Sequence, residues 1–337
     1  MNLLFTCAGR RNYLINYFKE ELRGLGLVYA ADMQLSAPAL ADADKAIVVP
    51  AINDEAYIPG LLDICKKNNI HGLISLNDLE LPMLSENLHL FNKIGTKVII
   101  SSSKVIKICF DKLETVDFCK SIRINTPQTF SGLDEAIEAL KNGQLTFPVV
   151  IKPRWGSASI GIEFPETLEE LQLSYKLLNV KIKRSILADA SMQDIDRSIL
   201  IQEKIKGEEF GLDILNDFSG RTVAVYVKEK LAMRAGETDK AILRNLPELD
   251  ALGFQLGNAL GHIGNLDCDF FEKDGEYYLL EMNPRFGGGY PFTQMSGGNY
   301  PSAIISWLEG KEFDFSTFNK EYNQPYAKCD RLIRVLK

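Results

Sequence analysis

Histidine is nearly missing: the 337 residues hold three, His71, His89 and His262, none near another in the chain. That scarcity argues against a histidine-rich zinc site and against Ser-His-Asp hydrolysis. Cysteine is sparse too. Its six positions, Cys7, Cys65, Cys109, Cys119, Cys268 and Cys329, form no C-x-x-C pair and no regular spacing. Several lie in apolar runs, as buried thiols in a reducing compartment do. No G-x-G-x-x-G occurs, so the dinucleotide fingerprint of an oxidoreductase is absent. No apolar run approaches the ~18 residues that span a bilayer. The opening stretch MNLLFTCAGRRNYL places its apolar run before its basic pair, the reverse of a signal peptide. The cytoplasm is the expected compartment. Positive charge is not in excess either: 38 Lys and Arg face 45 Asp and Glu, a net charge of -7. Nothing in that balance draws nucleic acid or an anionic membrane, and an anionic substrate would need a local cluster of cations.

What is present is an ordinary globular composition, 46% hydrophobic and 25% charged, long enough for about two or three domains. The first hundred residues alternate strand and helix signals. LLFTCAG, LVYAAD, IVVP, HGLISL and TKVIIS read as strands; NYLINYFKEELRGLG, AYIPGLLDICKKNN and LELPMLSENLHLFNKIG read as helices. This alternation predicts a parallel sheet with helices on both faces, an α/β domain. A helix from about Ser103 to Ile122 follows, carrying DKLE at 111–114. From Pro127 the pattern becomes α+β, hairpins mixed with helices. One helix opens on a capping box, Thr167 with Glu170.

Four segments bear chemistry. In FPVVIKPRWGSASIG a strand delivers Lys152 to a loop of small residues, Gly156, Ser157, Ser159 and Gly161 among them. Backbone N–H groups of such a loop can approach phosphate oxygens beside a lysine; a plain Gly/Ser hairpin has the same composition. In QEKIKGEEF, alternation sets Gln202, Lys204 and Lys206 on one face and Glu203 and Ile205 on the other until Gly207. A strand ending so can offer its backbone to an adenine edge and Glu209 to a ribose, or be an exposed charged hairpin. In KEKLAMRAGET, even spacing puts Lys228, Lys230 and Arg234 on one face, cations able to offset a terminal phosphate or a surface stripe. The hairpin NLDCDFFEKDGEYYLLEMNPR is the fourth. Glu281, Asn283 and Arg285 share a face if the strand persists through Pro284, and oxygen ligands beside a fixed cation suit a hard metal holding phosphates. A two-residue turn at 274–275 would pair residue 269 with 280 and leave Asp269 and Glu281 on opposite faces. A shared metal therefore predicts a three-residue loop, KDG with Gly275 left-handed, or a bulge. At the carboxyl edge of the predicted sheet, Arg10 and Arg11 begin a helix and could meet an anion, or stand as a solvated pair. Asp78 and Glu80 in NDLELP either cap a helix or face a ligand.

Taken in this order, DK at 111–112, FPVVIKP with its small loop, QEKIKGEEF and D…EMNPR resemble the ATP-grasp superfamily, notably the ATP-grasp parts of carbamoyl-phosphate synthase large chains and carboxylate–amine ligases. The resemblance covers roughly residues 1–310. It implies an N-terminal Rossmann-like pre-ATP-grasp domain (1–105), a linker helix with the small, lid subdomain (106–205), and a large subdomain with a C-terminal tail (206–337), the nucleotide lying between two α+β subdomains. Carried over by position, Lys112 and Lys152 contact phosphates beneath the 156–161 loop. Gln202 or Glu203, with the backbone of Ile205, lines adenine, and Glu209 takes the ribose. Asp269, Glu281 and Asn283 hold magnesium, or manganese in its place, and Arg285 lies by the transferring phosphate or the acyl group. Many members carry glutamate where Gln202 stands.

The reaction so implied activates a carboxylate with ATP as an acyl phosphate, which an amine or a thiol then attacks, with Lys228 and Arg234 supplying charge. Phosphoryl transfer needs positioning and neutralisation rather than His or Cys. One ATP-using unit, where a complete carbamoyl-phosphate synthase carries two, favours an amino-acid or peptide-forming ligase. The rivals are a non-catalytic ATP-binding module, disfavoured by the retained metal ligands, and a kinase with a stable acceptor. CAGRR, NDLEL, RAGET and GGGYPF are expected on the substrate side, with Arg10, Asp78, Arg234 and Glu237 as candidates whose mixed charge suits an amino acid. The last residues, KCDRLIRVLK, show an apolar strand pattern suited to pairing with the sheet or, in a homodimer, with a second subunit.

Overall fold

The run NLLFT makes strand β1 (Asn2–Thr6), buried at every residue but the first. Burial on both faces is the mark of a covered parallel strand. In this computed structural model β1 pairs in parallel with β2 (Val28–Asp32) and with β4 (Ile70–Ser75). With β3 (Lys45–Val48) and β5 (Lys97–Val98) the order is β3-β2-β1-β4-β5. Alternate residues serve different layers. Leu3 and Phe5 join Leu14, Ile15 and Phe18 of the helix Asn12–Leu22, whereas Leu4 joins Leu61 of the helix Tyr57–Lys67 and Phe91. Each such fully buried Leu or Phe contributes about 1.5–3 kcal/mol.

The structure describes residues 1–156 and 161–336. They divide into two units: Met1–Ile106 with Gly211–Cys268 and Asn283–Lys337, and Lys107–Phe210 with Asp269–Met282. The second unit holds a three-stranded antiparallel sheet, β6 (Thr129–Phe130), β8 (Ile199–Glu203) and β7 (Val149–Pro153) in that spatial order. The helices Leu133–Lys141 and Leu168–Lys183 cover it through Ala136, Ala139, Leu171 and Leu178. The Thr167 hydroxyl accepts the Glu170 N–H at 3.2 Å, as the capping box predicts. A six-stranded sheet completes the fold, ordered β13-β12-β9-β10-β11-β14. Its strands are β9 (Glu208–Asn216), β10 (Thr222–Arg234), β11 (Glu237–Leu243), β12 (Gly264–Lys273), β13 (Glu276–Asn283) and β14 (Pro325–Ala327). An α/β sheet domain followed by α+β units is the expected class.

Several local expectations fail. The helix expected from Ser103 to Ile122 is two helices, Ser103–Phe110 and Lys112–Ser121. Between them Asp111 is extended and accepts the Leu113 N–H as N-cap. The segment 81–94 likewise breaks into Leu81–Glu86 and Leu88–Lys93 at Asn87. β5 keeps only two residues of TKVIIS. β8 ends at Glu203, so the alternation assumed through Lys206 does not hold. Gly207 is glycine because a Cβ there would lie 1.7 Å from the Glu272 carbonyl oxygen. The C-terminal pattern at 328–336 forms no strand among the described residues; the edge strand is Pro325–Ala327, antiparallel to β11.

Candidate active site

Strand β7 carries Lys152 into the second unit, where it is 6% exposed. Its ammonium is shifted down to about 8, first by burial and next by the charge of Lys112, while Glu281 and Asp269 pull the other way. Three other sequence-predicted residues thus act on Lys152: one lysine and two carboxylates. Lys112 opens its helix and donates from Nζ to the Gly156 carbonyl at 2.5 Å. Sequence reasoning gave Asp111 no role, yet it fixes this helix start. Arg154 forks onto both Asp111 oxygens at 2.7 Å from Nε and Nη2, and Nη1 reaches Asp194 at 2.7 Å. A bidentate pair with side chains 12% and 5% exposed restrains the backbone that presents Lys112. The DK dipeptide followed by KPR is the signal that could have found it. Gly156 and Gly161 both take positive φ, 105° and 72°. Ser157 and Ser159 lie outside the described residues.

The proposed base and ribose residues are less gathered. Gln202 is buried, and its Nε2 donates to the Thr129 hydroxyl at 2.7 Å within the sheet. Glu203 pairs with Lys273 at 3.0 Å. Ile205 is buried, and Glu209 half-buried on β9.

The hairpin differs from its expectation. Its turn has two residues, Asp274 and Gly275, both left-handed at φ 56° and 81°, not three. The three-residue KDG loop is absent, yet Asp269 and Glu281 both act on Lys152. Strand β13 ends at Asn283, so Arg285 does not continue its face; the Arg285 N–H bonds the Asn283 carbonyl at 2.8 Å in a bend. Among the described residues no three of His, Cys, Asp or Glu stand as a metal group. The predicted set offers two carboxylates and one amide, all oxygen donors of the kind a hard divalent cation takes.

In the first unit Arg285 is clamped. Asp78 Oδ2 accepts from Nη2 at 2.8 Å and from Nε at 3.1 Å, and Asp267 Oδ2 accepts from Nη1 at 3.3 Å. Burial pushes the Asp267 carboxyl up, and the Arg285 charge opposes it. Asp78 therefore serves neither as a helix cap nor as a solvated acid. Glu80 stands at the N-cap of the helix Leu81–Glu86, but its side chain does not cap it: fully buried, it accepts from the hydroxyls of Thr6, Ser75 and Tyr57, and burial raises its pKa.

Lys228 and Arg234 do not share a face. Register shifts between Lys230 and Met233 break the even spacing of β10. Lys228 is buried, bonded to Asp213 and, at 2.9 Å, to the Thr293 hydroxyl, with Asn265 completing Asp213 at 3.0 Å. As placed, it balances a buried carboxylate rather than facing a phosphate. Arg234 is half exposed and pairs with Asp239 and Asp330, each at 2.9 Å. Asp213 and Asp267, each inside an apolar strand sequence (GLDIL, NLDCDF), were the missed signal.

Residues 3–99 match the family model of the PylC-like N-terminal domain, 145–244 that of the ATP-grasp domain, and 196–328 that of the ATP-grasp in the biosynthetic pathway with Ter operon. A D-alanine–D-alanine ligase of Streptococcus pyogenes serotype M4 is 31% identical over 217 residues, 60% of this chain. The match spans 57% of that ligase's own length. The L-amino acid ligase of Bacillus licheniformis superposes with TM-score 0.70 at 21% identity, over 95% of this chain and 77% of its own. The biotin carboxylase domain of the Hydrogenobacter thermophilus 2-oxoglutarate carboxylase, solved with MgADP, ADP and bicarbonate, gives 0.75 at 18%, over 96% and 73%. At those identities the two structures are evidence of the fold. Among the described residues no helix is long and apolar enough to cross a membrane.

Proposed function

Because this chain belongs to the ATP-grasp superfamily, we propose that it is an ATP-dependent ligase joining a small carboxylate, an amino acid by preference, to an amine or a thiol. The observation that carries the reading is the charge group of Lys112, Lys152, Asp269 and Glu281. A lysine lowered to about 8 by burial and a neighbouring lysine carries an electrostatic cost that a bound phosphate would offset.

The γ-phosphoryl group passes to a carboxylate oxygen, giving an acyl phosphate and ADP. The nucleophile's lone pair then attacks the acyl carbon, the C–O bond to phosphate breaks, and the nucleophile loses a proton. Lys112 and Lys152 neutralise charge on the phosphates. Asp269, Glu281 and Asn283 would hold magnesium, whose charge would be shared by the phosphate oxygens. Arg285, oriented by Asp78 and Asp267, steadies the acyl phosphate. Gln202, Glu203, Ile205 and Glu209 are assigned to the adenosine, and the 156–161 loop to the phosphates. The three-part division 1–105, 106–205 and 206–337 is kept as part of this reading.

The test is ADP and phosphate release across pooled carboxylates and amines, for the native protein and Glu281→Ala. Release that needs both substrates and disappears in the variant supports the ligase. Release with an acceptor alone, leaving a stable phosphorylated product, would make it a kinase. ATP binding without release under any pool would make it a binding module.

A further inference from the structure

The carboxyl edge of the five-stranded sheet carries a cationic cluster that the reaction above leaves unused. Arg11 is the N-cap residue of the helix Asn12–Leu22, which has no acidic residue in its first turn and no side chain capping it. Its guanidinium lies 3.9 Å from Glu237 and donates to the Tyr13 hydroxyl at 3.0 Å. Tyr13 donates in turn to the Gly287 carbonyl at 3.4 Å, two residues beyond Arg285. Lys328 reaches Glu237 from the C-terminal segment at 3.2 Å. The side chains of Arg11 and Lys328 are 19% and 20% exposed, against 55% for Glu237.

Two mostly buried cations therefore clasp one open carboxylate. Burial would raise the Glu237 pKa, but Lys328, then Arg11 and Arg10, hold it below the ordinary range. Lys328 is lowered by its own burial, with Arg11 adding to the effect against Glu237 and Asp239. The neighbouring acids are engaged elsewhere: Arg234 pairs with both Asp239 and Asp330. Positive charge is thus left in excess around Glu237. Gly288 passes beneath it, where a Cβ would lie 3.0 Å from the carboxyl carbon.

We propose that Arg11 and Lys328, with the uncapped start of the helix Asn12–Leu22, form a binding subsite for a carboxylate group of the substrate, and that Glu237 is the internal anion this group displaces. Naming the bound carboxylate a substrate's rests on the ligase reading; the binding does not. A second carboxylate, remote from the one activated, would be gripped here and would orient the molecule toward Arg285 through the Tyr13–Gly287 contact.

Succinate is the probe and its dimethyl ester the neutral control, titrated by ligand-observed NMR against the full chain without nucleotide. The native protein is expected to bind succinate and not the ester. Glu237→Gln should tighten succinate binding roughly fivefold, the scale of a half-exposed ion pair removed from competition. Lys328→Met and Arg11→Gln should each weaken it about tenfold, the scale of a lost charge-assisted contact. Unchanged affinity in Lys328→Met and Arg11→Gln would overturn the proposal, as would Glu237→Gln binding no more tightly than native. If Glu237→Gln does not fold, the other two variants decide. Succinate binding without ADP release in any substrate pool would leave the subsite standing and remove the ligase reading; release with KM unchanged in Lys328→Met would do the reverse.

Discussion

Replacing Asp78 with alanine should loosen the first unit and misplace Arg285 together. The Arg285 side chain is 9% exposed and that of Asp78 8%, so both charges are largely out of water. Removing one partner of a buried pair costs about 3–5 kcal/mol, because the survivor is left buried and under-compensated. Asp267 still accepts one N–H of Arg285, at 3.3 Å, which puts the expected loss at the lower end, about 3 kcal/mol. With about 2–4 °C per kcal/mol for larger domains, Tm should fall by roughly 6–12 °C. Asp78→Asn keeps one acceptor and the volume, and should lose about half as much stability. Urea unfolding followed by circular dichroism gives the free energies, and ADP release the turnover. Turnover should drop further than stability accounts for, through kcat rather than KM, because Arg285 is assigned to the acyl phosphate. Asp78→Ala within ~0.5 kcal/mol of native and fully active would refute the reasoning: the clamp would then carry neither stability nor orientation.

The buried lysine gives a prediction in pH. Lys152 takes its proton near 8 in the folded chain against 10.5 in the ordinary state, so between those values the unfolded chain binds more protons and stability rises with pH. Below about 8 both states are protonated and the cost of burying the charge is fully present. Lys152→Met should therefore be more stable than native at pH 7, by on the order of 1–3 kcal/mol, with the gap closing as pH rises toward 10.5, while ADP release is lost. A variant less stable than native at pH 7 would show that the lysine is not penalised. Gly287→Ala would bring a Cβ to 2.1 Å from the Asp267 carboxylate, and should destabilise by about 1–3 kcal/mol and lower turnover by disturbing the Arg285 clamp; native-like urea curves and kinetics would contradict this. Asp111→Ala removes an N-cap and both hydrogen bonds of the Arg154 fork, and should raise KM for ATP by freeing Lys112; a change in stability with unaltered KM would limit Asp111 to a structural role.

How much could be read beforehand divides by the range of the interaction. Period and capping are local, so the alternation of the first hundred residues, the Thr167 cap and the presence of a hairpin around 274–275, though not its turn length, left their mark in neighbouring residues. The break at Asp111 was missed because its cause, Arg154, lies 43 residues away. The Arg285–Asp78 clamp spans 207 residues and has no periodic trace at all. Lys228 and Arg234 were placed on one face by a spacing rule that a bulge cancels, and bulges are set by the partner strand. The candidate site's residue types could be proposed from the sequence because phosphate chemistry demands cations and oxygen ligands. Their partners could not, since pairing is tertiary.

The most direct measurement of the central claim uses the carboxylate that supports ADP release, labelled with oxygen-18 in its carboxyl group. Formation of an acyl phosphate and its displacement by the nucleophile carry one labelled oxygen into the released phosphate, and mass spectrometry of that phosphate should find it in stoichiometric amount. Phosphate free of the label would mean that the carboxylate never took the phosphoryl group, and the ligase mechanism proposed for this chain would be wrong.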